Sequence, residues 1–142
     1  NWSLYRQGWA PSGTLAWQST YLDDGSSTYQ ALDAGSAESW GHYTDFYGAD
    51  GGLTARQTVN DNGSYQSKYF DFLSVNNWNS YTDFHAANGA LTARQALFDD
   101  GAYQNTFFDV LGQNGWAQYT DYFSAGGALT GRSGINDDGT MF

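Results

Sequence analysis

Apolar and polar positions alternate in short runs along this chain, and no segment carries the three-to-four spacing of an amphipathic helix. Runs rich in Thr, Tyr, Phe, Leu and Val are separated by Asp-Gly, Asn-Gly or Gly-Gly pairs. Such pairs favour the tight turns of β-hairpins, because Gly, Asn and Asp tolerate the left-handed backbone that those turns need. The pattern predicts strands over 40–48, 53–60 and 64–72, with a connection from Leu73 to Asn77 into the next Trp. Almost no helix is expected.

The pattern repeats. Trp2, Trp40, Trp78 and Trp116 are each 38 residues apart. The columns Tyr5, Tyr43, Tyr81, Tyr119 and Leu15, Leu53, Leu91, Leu129 keep the same step, as do Gly13, Gly51, Gly89, Gly127. The units are 2–39, 40–77 and 78–115, with a partial unit 116–142 that ends before its third segment. A fixed period of this length is the mark of a repeat architecture. The expected fold is all-β: tandem units of three antiparallel strands forming one repeat domain, either a β-hairpin solenoid or an extended meander or sandwich.

Ala49-Asp50-Gly51-Gly52 and Ala87-Asn88-Gly89-Ala90 suit two-residue type I′ turns. With Asp50 and Gly51 as the loop, Tyr47 faces Thr54 and Asp45 faces Arg56. The same rule pairs Asp83 with Arg94 and Asp121 with Arg132. In the first unit these columns hold Gln7 and Gln18, so acid and base are lost together, which supports the register. Alternation then assigns Trp40, Phe46, Leu53, Ala55, Val59, Phe70 and Phe72 to a buried face. Tyr43, Asp45, Tyr47, Arg56, Tyr65 and Tyr69 fall on an open one. The first unit departs most, with Trp9 and Trp17 at the Tyr47-type and Ala55-type positions, as suits a terminal cap.

Composition narrows the function. Fifteen acidic residues against five basic ones give a formal charge of −10 in 142 residues, which opposes a nucleic-acid partner. Cysteine is absent, so there is no disulfide, thiol nucleophile or thiolate metal site. No apolar run is long enough to span a membrane, and no signal peptide is expected in the chain as given. The aromatic share of 18% argues against disorder.

Three candidate chemistries remain. Tyr43, Tyr47, Tyr81 and Tyr119, with Arg56, Arg94 and Arg132, are the candidate ligand-binding residues, because aromatic rings stack on sugar faces while polar groups bond the edges. Repetition would add avidity. Asp33, Asp71 and Asp109 have no evident turn or pairing role and are the candidate calcium ligands, calcium being the one cofactor to consider. Neither an EF-hand loop nor a calcium β-roll nonapeptide is present. Catalysis is not expected: the carboxylates recur in equivalent environments, whereas glycoside hydrolysis needs two unlike ones. His42 and His85 occupy different columns, and no Gly-x-Ser-x-Gly elbow occurs.

The stretch Tyr47-Gly48-Ala49-Asp50-Gly51-Gly52-Leu53-Thr54, with Ala86-Ala87-Asn88-Gly89-Ala90-Leu91-Thr92, resembles the tyrosine-aspartate repeat of Rhs-type and teneurin-type shell proteins, whose core runs Tyr-Asp-x-x-Gly-Arg-Leu-Thr. The resemblance covers the first hairpin of each unit. It departs at Gly48 or Ala86 for the family's Asp, at Gly52 or Ala90 for its Arg, and in a period about twice as long; it implies hairpin-repeat architecture. The acidic, Gly-rich, Cys-free balance is similar to repeat regions of bacterial proteins exported by type I secretion. The expected function is a non-catalytic, structural or adhesive repeat domain of a secreted or surface-associated bacterial protein, located outside the cell or on its surface. The alternatives are a carbohydrate-binding module using the Tyr-rich face and a self-assembling extracellular fibre subunit. Partners are then a glycan or cell-surface component, or further copies of the chain.

Overall fold

The computed structural model describes residues 1–142 as a single open antiparallel sheet of eleven strands, each paired with its neighbour in sequence. The strands are β1 (Trp2–Trp9), β2 (Leu15–Leu22), β3 (Ser27–Leu32), β4 (Trp40–Tyr47), β5 (Leu53–Asn60), β6 (Tyr65–Phe70), β7 (Trp78–His85), β8 (Leu91–Phe98), β9 (Tyr103–Phe108), β10 (Trp116–Phe123) and β11 (Leu129–Asn136). No helix is present. Three strands span each 38-residue period, in agreement with the repeat, and each recurring Trp opens the first strand of its unit. Of the expected architectures, the extended meander is the one adopted.

The hairpin turns differ from the type I′ expectation in a way that matters. In the β4–β5 turn the Gly51 amide donates to the Gly48 carbonyl, and the Gly48 amide donates to the Gly52 carbonyl. Only Gly51 has positive φ, 82°. This is the three-residue solution, a type I turn followed by a left-handed glycine. It pairs Tyr47 with Leu53, not Thr54. Thr54 is then bulged out, its hydroxyl donates to the Phe46 carbonyl, and the register recovers so that Asp45 faces Arg56 as expected.

The β5–β6 turn has the same form, with the Gly63 amide bonded to Asn60 and the Asn60 amide to Ser64. There no bulge compensates, and Val59 pairs with Tyr65. The slip of one residue carries all of β6 to the other side. Tyr65 and Tyr69 therefore lie with Phe46, Ala55 and Val59, and Phe70 lies with Asp45 and Arg56, opposite to the sequence expectation. A second bulge, at Gly41, turns Trp40 over to the Tyr43 side, where the two rings meet edge to face at 5.3 Å.

Neither side is a buried face. Directly opposed residues share a face, and following them from Asp45 leads through Arg56 and Lys68 to Thr82, one residue short of Asp83. Asp83 and Arg94 thus point to the opposite side from Asp45 and Arg56. Continuing through Gln95 and Asn105 reaches Asp121, back on the Asp45 side. The cause is the odd number of strands per unit. Successive units run in opposite directions, and a sheet that advances while reversing its strands is related by a two-fold screw, which exchanges its faces. Each face consequently receives every second unit, and equivalent chemistry appears on both.

A sheet with two equivalent faces has no inside. The accessible surface is 8609 Å², whereas a compact globule of this 15.6 kDa mass exposes about 7,200 Å². Only 7 of 142 residues are buried, and Asp45, Ser80, Thr82 and Asp121 are among them. What holds the sheet together is lateral: the backbone ladder and the cross-strand pairs along each face.

Candidate functional site

Each ion pair sits within an aromatic cluster. Arg56 donates through Nε to Asp45 Oδ1 at 2.6 Å and through Nη2 to Asp45 Oδ2 at 2.7 Å. Arg94 with Asp83 and Arg132 with Asp121 repeat this forked geometry. The carboxylate is the covered partner: the side chain of Asp45 is 5% exposed and that of Arg56 44%. The bond to Asp45 raises Arg56 above the ordinary guanidinium range, and the bond from Arg132 holds Asp121 below the ordinary carboxylate range.

The guanidinium also lies over a tyrosine. Arg56 is 4.6 Å from the Tyr43 ring centre, Arg94 5.1 Å from Tyr81, and Arg132 4.6 Å from Tyr119. On the third-strand side, Tyr69 stacks on Tyr81 at 4.8 Å and Phe107 on Tyr119 at 5.0 Å. Trp78 and Trp116 approach the same tyrosines edge-on. Tyr81 and Tyr119 therefore have aromatic neighbours in two directions and a cation in a third. These columns, the candidate ligand-binding residues of the sequence, are half-buried and brace their neighbours. Burial accordingly pushes the Tyr81 phenol above its usual range. The Tyr47 hydroxyl donates to Asp45 Oδ2 at 3.4 Å, and burial raises it likewise. In the Tyr47 column of the next two units, His85 stacks flat on Tyr65 and Phe123 on Tyr103.

Asp33, Asp71 and Asp109 open the connections between units. Their carboxylates accept backbone N–H groups five residues on: Asp33 from Glu38, Asp71 from Asn76 and Asp109 from Asn114, with a second bond from Val75 to Asp71. The same three residues accept at their carbonyls from Ser36, Ser74 and Gly112, which have positive φ of 49°, 51° and 59°. These bonds hold Asp33 and Asp109 below the ordinary carboxylate range. The third-strand Asp thus has a local task, closing the loop that returns the chain to the next Trp. No three His, Asp or Glu side chains come together in the grouping that a metal ion needs.

The sequence reading missed two shallow clefts. In one, Phe46 and Tyr69 stand on either side of Ala55 in three adjacent strands, with Gln57 and Ser67 at the polar end, enclosing about 240 Å³. In the other, Phe84 and Phe107 flank Ala93, with Gln95 and Asn105 at the polar end, enclosing about 320 Å³. The second set is the first advanced by one period, and the two clefts open on opposite faces. In the first unit the sizes invert: Gly8 and Ala31 flank Trp17, and the indole lies over Gly8 where the cleft would be. That exchange of large and small residues was the signal available in the sequence. Reading it required the β2–β3 and β5–β6 registers, which the turn residues alone did not give.

No protein-family model matches the chain, and no curated protein matches it.

Proposed function

We propose that this chain is a non-catalytic β-repeat domain of a secreted or surface-associated bacterial protein, with a structural or adhesive task. The observation that carries this reading is that the recurrent polar chemistry is spent on architecture. The first-strand Asp bonds Arg, the third-strand Asp closes a loop, and turn residues such as Asp24, Asn62, Asp100 and Asp138 bond the backbone N–H two residues on. Acid–base catalysis requires titratable groups held in unlike environments, and a screw-related sheet multiplies like ones instead. Extension by whole units and presentation of both faces to solvent suit a spacer or an adhesive ribbon. Labelling of intact cells of the producing bacterium by an antibody to this chain, and adhesion of chain-coated beads to cell or matrix surfaces, are the expected results. Labelling that appears only after lysis would sink the proposal.

A further inference from the structure

We infer that the Phe46–Ala55–Tyr69 and Phe84–Ala93–Phe107 clefts each take one sugar ring of a neutral glycan, and that the sheet bridges two glycan chains, one on each face. The inference gives a partner class to the adhesive reading above and rests on it.

Geometry comes first. Residues two strands apart are separated by about 9.6 Å across a sheet, so two aromatic side chains flanking an alanine leave a slot about one ring wide. The protein supplies its own measure of that slot. In the first unit, where the flanking residues are Gly8 and Ala31, the central position holds Trp17, a flat ring that fills the space from within. Units two and three keep the outer rings and omit the inner one. The walls are also braced: Tyr69 is backed by Tyr81, and Phe107 by Tyr119. The clefts are thus preformed, which lowers the cost of binding.

The lining chooses the ligand. Its walls are apolar faces, while its end is an amide with a hydroxyl or a second amide. Gln57 and Ser67 make no side-chain hydrogen bond within the chain. Gln95 donates to Asn105 at 3.0 Å, which leaves the Gln95 carbonyl and the Asn105 amide free. A pyranose has apolar ring faces and a hydroxyl-bearing edge and satisfies both; an aromatic side chain of a protein would leave the polar end unpaired. Arg56 and Arg94 are tied up by Asp45 and Asp83, and Lys68, opposite Thr82 on the face of the second cleft, is the one cation beside it outside an ion pair. Against a net charge of −10 that single lysine does not offset the repulsion of an anion, so a neutral glycan is favoured over an anionic one.

Affinity electrophoresis of the whole chain in gels containing laminarin, mannan, xylan or galactan tests the inference, with turbidity of the mixture reporting bridging. Retardation by at least one polymer is expected. Ala55→Leu and Ala93→Leu, which fill one cleft each, should keep retardation but abolish turbidity; the double variant should bind about tenfold or more weakly, as loss of ring stacking implies. Phe46→Ala with Phe84→Ala, which removes a wall and adds no bulk, should reproduce the loss. Circular dichroism of each variant reports whether the sheet is intact. No retardation by any of the four polymers, or retardation unchanged in both double variants, overturns the inference. Bead adhesion to cells that persists in the double variants overturns it too, while leaving the adhesive reading standing.

Discussion

The first unit and the second have the same strands and the same turns, yet solve two problems differently. Where the second unit pairs Asp45 with Arg56, the first pairs Gln7 with Gln18. The glutamines are not idle: Gln18 accepts from the Tyr5 hydroxyl, Gln7 donates to that hydroxyl, and the Gln18 amide continues to Gln30 and on to Thr44. An amide has both a donor and an acceptor and extends a ladder across strands, whereas a forked ion pair satisfies its carboxylate and stops. Where the second unit opens a cleft, the first closes it with Trp17. The backbone of this repeat therefore fixes which side chains meet, and leaves open whether they meet as ions or amides, or as a filled or an empty slot.

The sharpest way to break this comparison is at Gly8. A methyl group there would overlap the Trp17 indole, which must move. Gly8→Ala should destabilise the protein by about 1–3 kcal/mol, the usual cost of overpacking, and shift tryptophan emission to the red as the ring is displaced into water. Phe46→Ala at the matching position of the second unit causes no such clash and should leave emission unchanged. An unaltered spectrum for Gly8→Ala would mean that Trp17 does not occupy the slot.

These differences also mark what the sequence could and could not disclose. The hairpins and the Asp45–Arg56 register were legible, because turn residues recur in columns and acid and base are lost together at Gln7 and Gln18. The faces were not. Asn62-Gly63 is compatible with either a two-residue turn or a three-residue turn, and that one-residue difference decides on which side Tyr65 and Tyr69 emerge. Gly41 gave no hint that it would bulge and carry Trp40 across. The alternation of units follows from counting three strands per period, but only once the sheet is known to be open. As for the site, Tyr43, Tyr81 and Tyr119 were visible as a column, yet their role as supports depends on Tyr69 and Phe107, which lie across the misjudged strand.

The next contrast is between losing an ion and losing an amide. Arg56→Ala leaves Asp45, 3% exposed, without its two charged donors. A fully buried pair broken in this way costs about 3–5 kcal/mol. The arginine here is nearly half exposed, and solvent screening lowers the expectation to about 1–2 kcal/mol. Gln18→Ala should cost under about 1 kcal/mol, since its partners Tyr5 and Gln30 are neutral and Tyr5 is exposed to water. Urea unfolding of the two variants checks the order, and equal losses would remove the distinction. A pH series adds a second readout through Asp121, whose folded pKa lies below the ordinary value of about 3.9. A carboxylate depressed in the folded state stabilises above its unfolded pKa, and that contribution is lost as pH falls through the folded one. Arg132→Gln should therefore flatten the decline in stability below about pH 4, though not abolish it, because Asp33 and Asp109 decline with it.

The smallest effect comes from carrying the second unit's solution into the first. Gln7 and Gln18 are directly opposed, as Asp45 and Arg56 are, so Gln7→Asp with Gln18→Arg should form a forked pair beside Tyr5. β1 is exposed along nearly its whole length, so the new carboxylate gains little from desolvation, while the Tyr5, Gln18 and Gln30 bonds are given up. A net gain of no more than about 0.2–1 kcal/mol is expected, the range of an exposed cross-strand ion pair, and it should disappear in high salt. Each single substitution should be neutral or destabilising, so a double-mutant cycle isolates the pairing energy. A coupling near zero at low salt would mean that the register alone does not create the ion pair, and that the aromatic setting of Tyr43, with Trp40 against its edge and Tyr29 beside it, is what gives Asp45 and Arg56 their fixed geometry.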